Sequence, residues 1–375
     1  MAYEDEINLT PAEYYMQECF DLAKKALGRT SPNPIVGAIV LDKNGIPIGR
    51  GYHKKAGEEH AEVIALKEAG DLANGGTLIV SLEPCCHKGK TPPCTDLILK
   101  SKIQKVIFSH YDPNPLVNKK GEKLLLENNI KVVSGVLDSE GKEANKFFFK
   151  WIKTGLPWIT LKQAQTLDGK IALSNNESKW ISCPDSRKEV HKLRNEYDAV
   201  LVGANTVVID NPELTVREIE DGRNPIRVIL DIKLITKPNS KVYSDSAQVM
   251  LVTKQGHEKE KLAQYLNLNK DLSIIELPEE KSGKINLKQL FIELGKKNIL
   301  SVLVEAGPNL SGKLLLDKLA DEYILFVSPM VFGDSRAIQS LELGPLAKID
   351  QAVKFRLFNH KIIGNDLILL FRADI

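Results

Sequence analysis

The chain has 375 residues, 43% of them hydrophobic and 27% charged, with a formal net charge of +2. Such a length suits two domains, and the composition excludes a disordered, collagenous or disulfide-stapled chain. The near-neutral balance leaves no face-wide basic field for nucleic acid, and no apolar run approaches the ~20 residues that cross a bilayer. Five cysteines (Cys19, Cys85, Cys86, Cys94 and Cys183) make an odd number without framework spacing, which favours a reducing, cytoplasmic setting. The opening MAYEDEINLT lacks a basic segment followed by an apolar one, so no signal peptide is expected.

Thr10-Pro11-Ala12-Glu13 predicts a capping box opening a helix that runs to about Leu27 and stops at Gly28. The β-rich run from Ile35 to Asp42 turns at Gly45 into a second strand, Ile46 to Tyr52. Helical spacing follows from His60 to Ala69, a strand from Thr77 to Leu82, a loop from Pro84 to Pro93, and a helix from Cys94 to about Lys100. Lys105 to Ser109 predicts a strand, Gly121 to Asn128 a helix and Lys131 to Val136 a strand. This alternation implies a mostly parallel sheet with helices on both faces. A basic, aromatic stretch from Lys142 ends in Gly155-Leu156-Pro157 and sets a boundary between residues 1–156 and 157–375; its aromatics also suit a connecting helix packed on the core. Beyond it, Trp158 to Ala164 predicts a strand and Pro184 to Tyr197 a helix. Further strands are expected at Ala199 to Gly203, Ile226 to Asp231, Val249 to Thr253 and Ser301 to Glu305. Phe355 to Ile363 and Leu367 to Arg372 form an expected antiparallel hairpin, so the second half reads as an α/β domain with an antiparallel tail.

His60-Ala61-Glu62, Pro84-Cys85 and Cys94 supply one imidazole, two thiolates and a carboxylate close to the imidazole. Catalytic zinc takes three such ligands and keeps a fourth position for water, whose pKa it lowers to about 7. Glu62 suits proton movement rather than metal binding. An H-x-E followed by P-C and a further cysteine is the signature of zinc nucleobase deaminases. A closed structural site is the alternative: Cys86 and His87 offer a fourth ligand, but such a site has no use for Glu62. His60 and Cys94 each open a predicted helix, where partial positive charge favours thiolate.

With these motifs, the P-C-C-H-K-G-K-T-P-P-C run, D-P-N-P and a second α/β domain, the chain resembles the bifunctional riboflavin-biosynthesis deaminase/reductase family over nearly its whole length. Eight residues separate Cys85 from Cys94, as in that family, whereas deaminases of tRNA or cytidine carry a short P-C-x-x-C. The resemblance implies a cytidine-deaminase-like α/β/α domain followed by a dihydrofolate-reductase-like α/β domain. It implies one zinc per chain on His60, Cys85 and Cys94, with Glu62 as the catalytic proton shuttle. It assigns Asn33, His53, His87 and Lys90 to a pyrimidinone carrying a ribose phosphate, which loses its ring 2-amino group. Lys90 matches the family's phosphate lysine, while Lys88 reads equally as a solvated loop residue. Cys86 stands where P-C-S-H is usual, and Asn118-Lys119-Lys120 where a glycine-containing turn is common.

In the second half, Val304-Glu305-Ala306-Gly307-Pro308-Asn309-Leu310 runs from a strand through a glycine turn into a helix N-terminus, where free N–H groups take phosphate. It is not a G-x-G-x-x-G, so a Rossmann domain is not supported. Leu161-Lys162-Gln163-Ala164, Thr166 to Lys170 and Ser178-Lys179-Trp180-Ile181-Ser182 are similar to the family's reductase segments. By that resemblance Ala164, Trp180, Thr206, Asp210 and Gly307 line NADPH, and Ser178, Arg194, Leu214, Arg217 and Glu305 line the substrate. Arg194 and Arg217 suit phosphate forks. Trp180 offers a stacking face and otherwise reads as a core aromatic; Asp210 otherwise reads as a turn cap. The implied second reaction transfers hydride to the sugar's anomeric carbon and opens ribose to ribityl. The expected partners are a small phosphorylated pyrimidine and a second copy joined through the reductase domain, with neither nucleic acid nor membrane. An RNA-editing deaminase with a C-terminal binding module is the competing reading; the long cysteine loop and the lack of a basic stripe speak against it.

Overall fold

A computed structural model describes residues 9–87, 92–244, 247–268 and 270–373. The chain divides into two compact units, Met1–Gly155 and Leu156–Ile375.

The first unit opens with α1 (Pro11–Lys24). The Thr10 hydroxyl accepts from the Glu13 N–H at 3.4 Å, and the Glu13 carboxylate accepts from the Thr10 N–H at 2.8 Å. The helix stops at Lys24, short of the expected Leu27, and turns carry the chain to Gly28 at φ 72°. Then come β1 (Gly37–Leu41), β2 (Pro47–Tyr52), α2 (Ala61–Ala69), β3 (Thr77–Leu82) and α3 (Cys94–Lys100). They are followed by β4 (Lys105–His110), α4 (Lys120–Glu127), β5 (Lys131–Ser134), α5 (Asp138–Ala144) and α6 (Lys146–Thr154). The stretch read as a boundary is thus two short helices, with Phe148 of the second buried.

The five strands run β2-β1-β3-β4-β5, and the expectation of a mostly parallel sheet needs correction here. Only β3, β4 and β5 are parallel; β1 is antiparallel to both β2 and β3. The cause is local. Asp42 accepts from the N–H groups of Asn44 (2.8 Å) and Ile46 (2.9 Å), closing a tight turn, and a tight turn can only join antiparallel strands. Strand alternation covers both faces. Ala38, Val40, Leu78, Val80, Val106 and Phe108 pack with α2 and α3, while Ile39, Ile79 and Ile107 pack with α1. Gly49 and Gly51, two apart on β2, let α2 lie directly on the strand: a Cβ at Gly51 would sit 2.3 Å from the Ala61 carbonyl oxygen. The N-terminus of α2 is fixed by that contact.

The second unit contains β6 (Trp158–Thr166), β7 (Lys170–Ala172), α7 (Pro184–Glu196), β8 (Ala199–Gly203), α8 (Ala204–Asp210), β9 (Ile226–Leu230) and β10 (Val249–Lys254). It continues with α9 (Lys259–Leu266), β11 (Leu272–Leu277), α10 (Leu287–Lys296), β12 (Ser301–Val304), α11 (Pro308–Leu316) and β13 (Glu322–Ser328). The short β14 (Ile338–Gln339) and the hairpin of β15 (Phe355–Ile363) and β16 (Asp366–Ala373) complete it. Nine strands form one sheet, β11-β10-β9-β8-β12-β6-β13-β16-β15. The first seven are parallel and the last two antiparallel, as expected of an α/β domain with an antiparallel tail. Residues alternate into two cores. Leu201, Val228, Val252 and Val304 meet α10 and α11, and Val200, Val202, Ile229 and Leu251 meet Tyr243 and Tyr265. Among the described residues no helix is long and apolar enough to cross a membrane.

Candidate functional sites

In the first unit His60, Cys85 and Cys94 converge from three elements. His60 is the N-cap of α2, Cys85 follows β3, and Cys94 is the first residue of α3. Their ligand atoms all lie within 4.8 Å of one another. His60 Nδ1 is 3.5 Å from Cys85 Sγ and 3.3 Å from Cys94 Sγ. Donors held about 2.0–2.3 Å from a tetrahedral ion are roughly 3.5 Å apart, so this donor set fits zinc. The Cys94 N–H donates to Cys85 Sγ at 3.3 Å. The Cys94 side chain, the His60 imidazole and that N–H together hold the Cys85 thiol well below its usual range.

Glu62, in the first turn of α2, is 4% exposed, so bulk water does not solvate it. Burial, and then the charge on Cys85, push its carboxyl above the usual carboxylate range. A carboxyl that holds its proton more readily beside three such donors suits proton transfer. His53 is 2% exposed and lies edge-on to His60, with ring centroids 5.3 Å apart. The Asn33 amide nitrogen is 3.0 Å from His53 Nε2, and His53 Nδ1 is 3.1 Å from the Glu59 carbonyl. The carbonyl can only accept and the amide donates, which places the imidazole proton on Nδ1. Asn33 and His53, far apart in sequence, therefore act as a pair beside His60. His87 Nδ1 is buried without a hydrogen-bond partner among the described residues. Lys90 and Lys88 lie outside the described residues.

Sequence reasoning missed Glu83. Its carboxylate accepts from the N–H groups of Lys119 (3.0 Å), Glu122 (3.2 Å) and Asp112 (3.3 Å), tying the Pro84-Cys85 loop to the start of α4 and to the D-P-N-P segment. Gly121 sits so close that a Cβ would lie 2.2 Å from the Pro84 carbonyl oxygen. The glycine needed after Asn118-Lys119-Lys120 is therefore Gly121, for close approach. Glu83→Ala strands three backbone donors. It is expected to lower the unfolding free energy by about 3 kcal/mol and to reduce zinc content, read by denaturant unfolding and metal analysis. Unchanged stability would show that the cap is dispensable.

In the second unit two cavities, about 820 and 760 Å³, share Ile171, Ser178, Thr206, Asp210 and Gly307. Every reductase residue expected from the sequence lines one or both. The larger holds Ala164, Trp180, Arg194, Leu214, Arg217 and Glu305 in addition to Ser178, Thr206, Asp210 and Gly307. Trp180 is 65% exposed, with the Arg187 guanidinium 4.4 Å from its ring centroid, so it is not a core aromatic. Gly307 caps α11 with Pro308 at the first helical position. Its φ of −70° does not require glycine, and a Cβ there would meet nothing within 4 Å. What its lack of a side chain provides is an open approach to the helix N-terminus.

Arg194 and Arg217, both read as phosphate forks, are held differently. Arg194 spends its fork on Glu305, Nε to Oε1 at 2.6 Å and Nη2 to Oε2 at 3.0 Å. A carboxylate that is only 13% exposed needs such a counterion. Lys162, which the sequence offered without a role, places Nζ 3.7 Å from Glu305 Oε2, and its burial pushes its own pKa down. Arg217 is half exposed, bonded to Glu213 at 2.8 Å and to the Thr215 hydroxyl at 2.9 Å, and is free to turn to a ligand.

Comparison with known proteins matches residues 9–110 to the cytidine and deoxycytidylate deaminase zinc-binding region, and residues 157–369 to the RibD C-terminal domain. The second match covers more than half of the chain. The chain belongs to the RibD family of riboflavin biosynthesis proteins. Riboflavin biosynthesis protein RibD of Aquifex aeolicus is 42% identical over 96% of this chain and 97% of that protein. Its Escherichia coli counterpart is 37% identical over 95% and 98%. The solved structure of Acinetobacter baumannii RibD superposes with a TM-score of 0.87 at 34% identity, covering 97% of this chain and 99% of that one. The Thermotoga maritima structure, titled a diaminohydroxyphosphoribosylaminopyrimidine deaminase/5-amino-6-(5-phosphoribosylamino)uracil reductase, gives 0.85 at 36%, with the same coverage. As a RibD family member the chain is a bifunctional enzyme of riboflavin biosynthesis, a zinc-binding deaminase domain followed by a reductase domain.

Proposed function

We propose that the first unit hydrolytically deaminates a diamino-ribosylaminopyrimidinone phosphate and that the second, using NADPH, reduces its ribosyl group to ribityl. The observation that carries the first half is the buried Glu62 beside His60, Cys85 and Cys94. Zinc held by those three residues supplies Lewis acidity that makes water nucleophilic at neutral pH. Glu62 takes the proton from that water and delivers it to the leaving ammonia. Asn33 and His53, fixed against each other, orient the pyrimidine ring, with His87 and Lys90 assigned to the same substrate.

In the second unit the shared wall of the two cavities supports a meeting point for two ligands. NADPH supplies the hydride, and the protein's part is orientation. The α11 N-terminus at Gly307 takes the pyrophosphate, while Ala164, Trp180, Thr206 and Asp210 hold the nicotinamide. Ser178, Leu214 and Arg217 hold the phosphorylated sugar, with Arg194 and Glu305 as a preformed polar wall. Arg217→Ala is expected to raise the substrate KM about tenfold and leave NADPH binding intact, measured by steady-state kinetics and cofactor titration. Loss of cofactor binding alone would reassign the residue.

The free state of all five cysteines supports a cytoplasmic setting. A homodimer through the reductase domain is supported by β15, an exposed edge strand carrying Leu357, Phe358 and Ile362. The deciding experiment is a coupled assay on zinc-quantified protein. Ammonia released without NADPH, followed by NADPH oxidation once it is added, is the expected result. Ammonia without oxidation would reject the reductase half, and bound zinc with neither signal would reject the substrate.

A further inference from the structure

The second cavity extends past the shared wall to the end of β9. Gly203, Ala204 and Asn205 at the start of α8, and Gly307, Pro308 and Asn309 at the start of α11, form its middle. Beyond them lie Leu230, Asp231, Ile232 and Lys233. The sheet orders these features. β9 adjoins β8 and β8 adjoins β12, all parallel, so their C-terminal ends line up along one edge. Two strand spacings, roughly 10 Å, separate the segment after β9 from the Gly307 turn. A dinucleotide with its nicotinamide at Asp210 and its pyrophosphate at Gly307 therefore lays its adenosine toward β9. Ile232 and Leu310 offer apolar surface for the purine.

Lys233 is the one basic side chain among the described residues lining this cavity. It is exposed and makes no ion pair or hydrogen bond with any described residue. Its acidic neighbour does not compete for the ligand. Asp231 is 1% exposed, and both its carboxylate oxygens are used, Oδ1 accepting from the Ile235 N–H at 2.9 Å and Oδ2 from the Thr236 N–H at 2.8 Å. An acid turned toward the ribose at this place would pair with a 2′-hydroxyl and repel a 2′-phosphate. Here that carboxylate closes the turn instead, and a lysine stands at the rim.

We propose that Lys233 is the specificity residue that selects a 2′-phosphorylated dinucleotide, pairing its ammonium group with the 2′-phosphate. This inference rests on the reading of the cavity as the NADPH site and names the feature that separates NADPH from NADH. The ammonium acts as a point charge on a flexible stem, so Lys233→Arg keeps the function.

The test is calorimetric titration of the full-length, cofactor-free protein with 2′,5′-ADP and, separately, 5′-ADP. Wild type is expected to favour 2′,5′-ADP. Lys233→Ala is expected to weaken 2′,5′-ADP about tenfold, the loss of one charge-assisted contact, and to leave 5′-ADP unchanged. Lys233→Arg restores the preference, which a general folding defect would not allow. A Lys233→Ala protein that keeps the wild-type preference overturns the assignment and leaves the cofactor site standing. Wild type binding neither nucleotide overturns it together with the reading of the cavity.

Discussion

Glu62→Gln is expected to retain its zinc and lose ammonia release by about 10²–10⁴-fold. The amide has the carboxylate's shape but cannot carry a proton from water to the leaving group. Water has little room to substitute, because the side chain is 4% exposed. Burial raises its pKa above the usual carboxylate range, so the carboxyl holds a proton in transit more readily than an exposed one would. His60, Cys85 and Cys94 are untouched, so metal content should match wild type. NADPH oxidation on substrate already deaminated should also be unchanged, since the reductase residues lie in the other unit. Zinc analysis with single-turnover ammonia measurement decides the matter, and a rate near wild type would remove Glu62 from the proton-shuttle role.

The second large effect is expected at Glu305. Burial alone would raise its pKa. Arg194 and then Lys162 outweigh that burial and bring it to about 2. Glu305→Ala leaves an arginine and a lysine, 13% and 14% exposed, without their counterion. The expected cost is about 3–5 kcal/mol of stability together with loss of NADPH oxidation, while ammonia release persists. Glu305→Gln keeps the shape and isolates the charge. Because the folded pKa lies below the ordinary value of about 4.3, the carboxylate's contribution is complete above about pH 5. It is lost as pH falls toward 2, and it amounts to about 3 kcal/mol. Denaturant unfolding between pH 2 and pH 7 should therefore show a shallower acid slope in Glu305→Gln than in wild type. Parallel slopes would mean that the ion pair adds nothing net.

The strands and helices that carry the metal residues could be read locally. The Thr10 capping box, the strand Thr77–Leu82 and the helix Cys94–Lys100 stand where alternation and capping put them. The hairpin strand Phe355–Ile363 is likewise in place. β7, β11, β13 and β14 were not anticipated. In β11 and β13 the reason is packing, since a strand covered on both faces loses the simple alternation that periodicity detects. The antiparallel placing of β1 against β3 depends on which neighbour it meets across the sheet, and no local pattern carries that.

The same division runs through the sites. H-x-E, P-C and the second cysteine specify a zinc deaminase because metal chemistry demands those donors whatever surrounds them. Glu83 was invisible because its partners, at Asp112, Lys119 and Glu122, are backbone N–H groups that any residue supplies. The closure of Arg194 on Glu305 joins residues 111 apart, and a lone arginine reads the same whether it faces phosphate or carboxylate. Sequence by itself determined the donor set, the order of the two domains and the type of most elements, since these follow from residue chemistry and local periodicity. Only the tertiary structure decided which charges neutralise one another, how deeply Glu62 is buried and which lysine faces a cavity, because those depend on packing and on neighbours that the chain brings together from far apart.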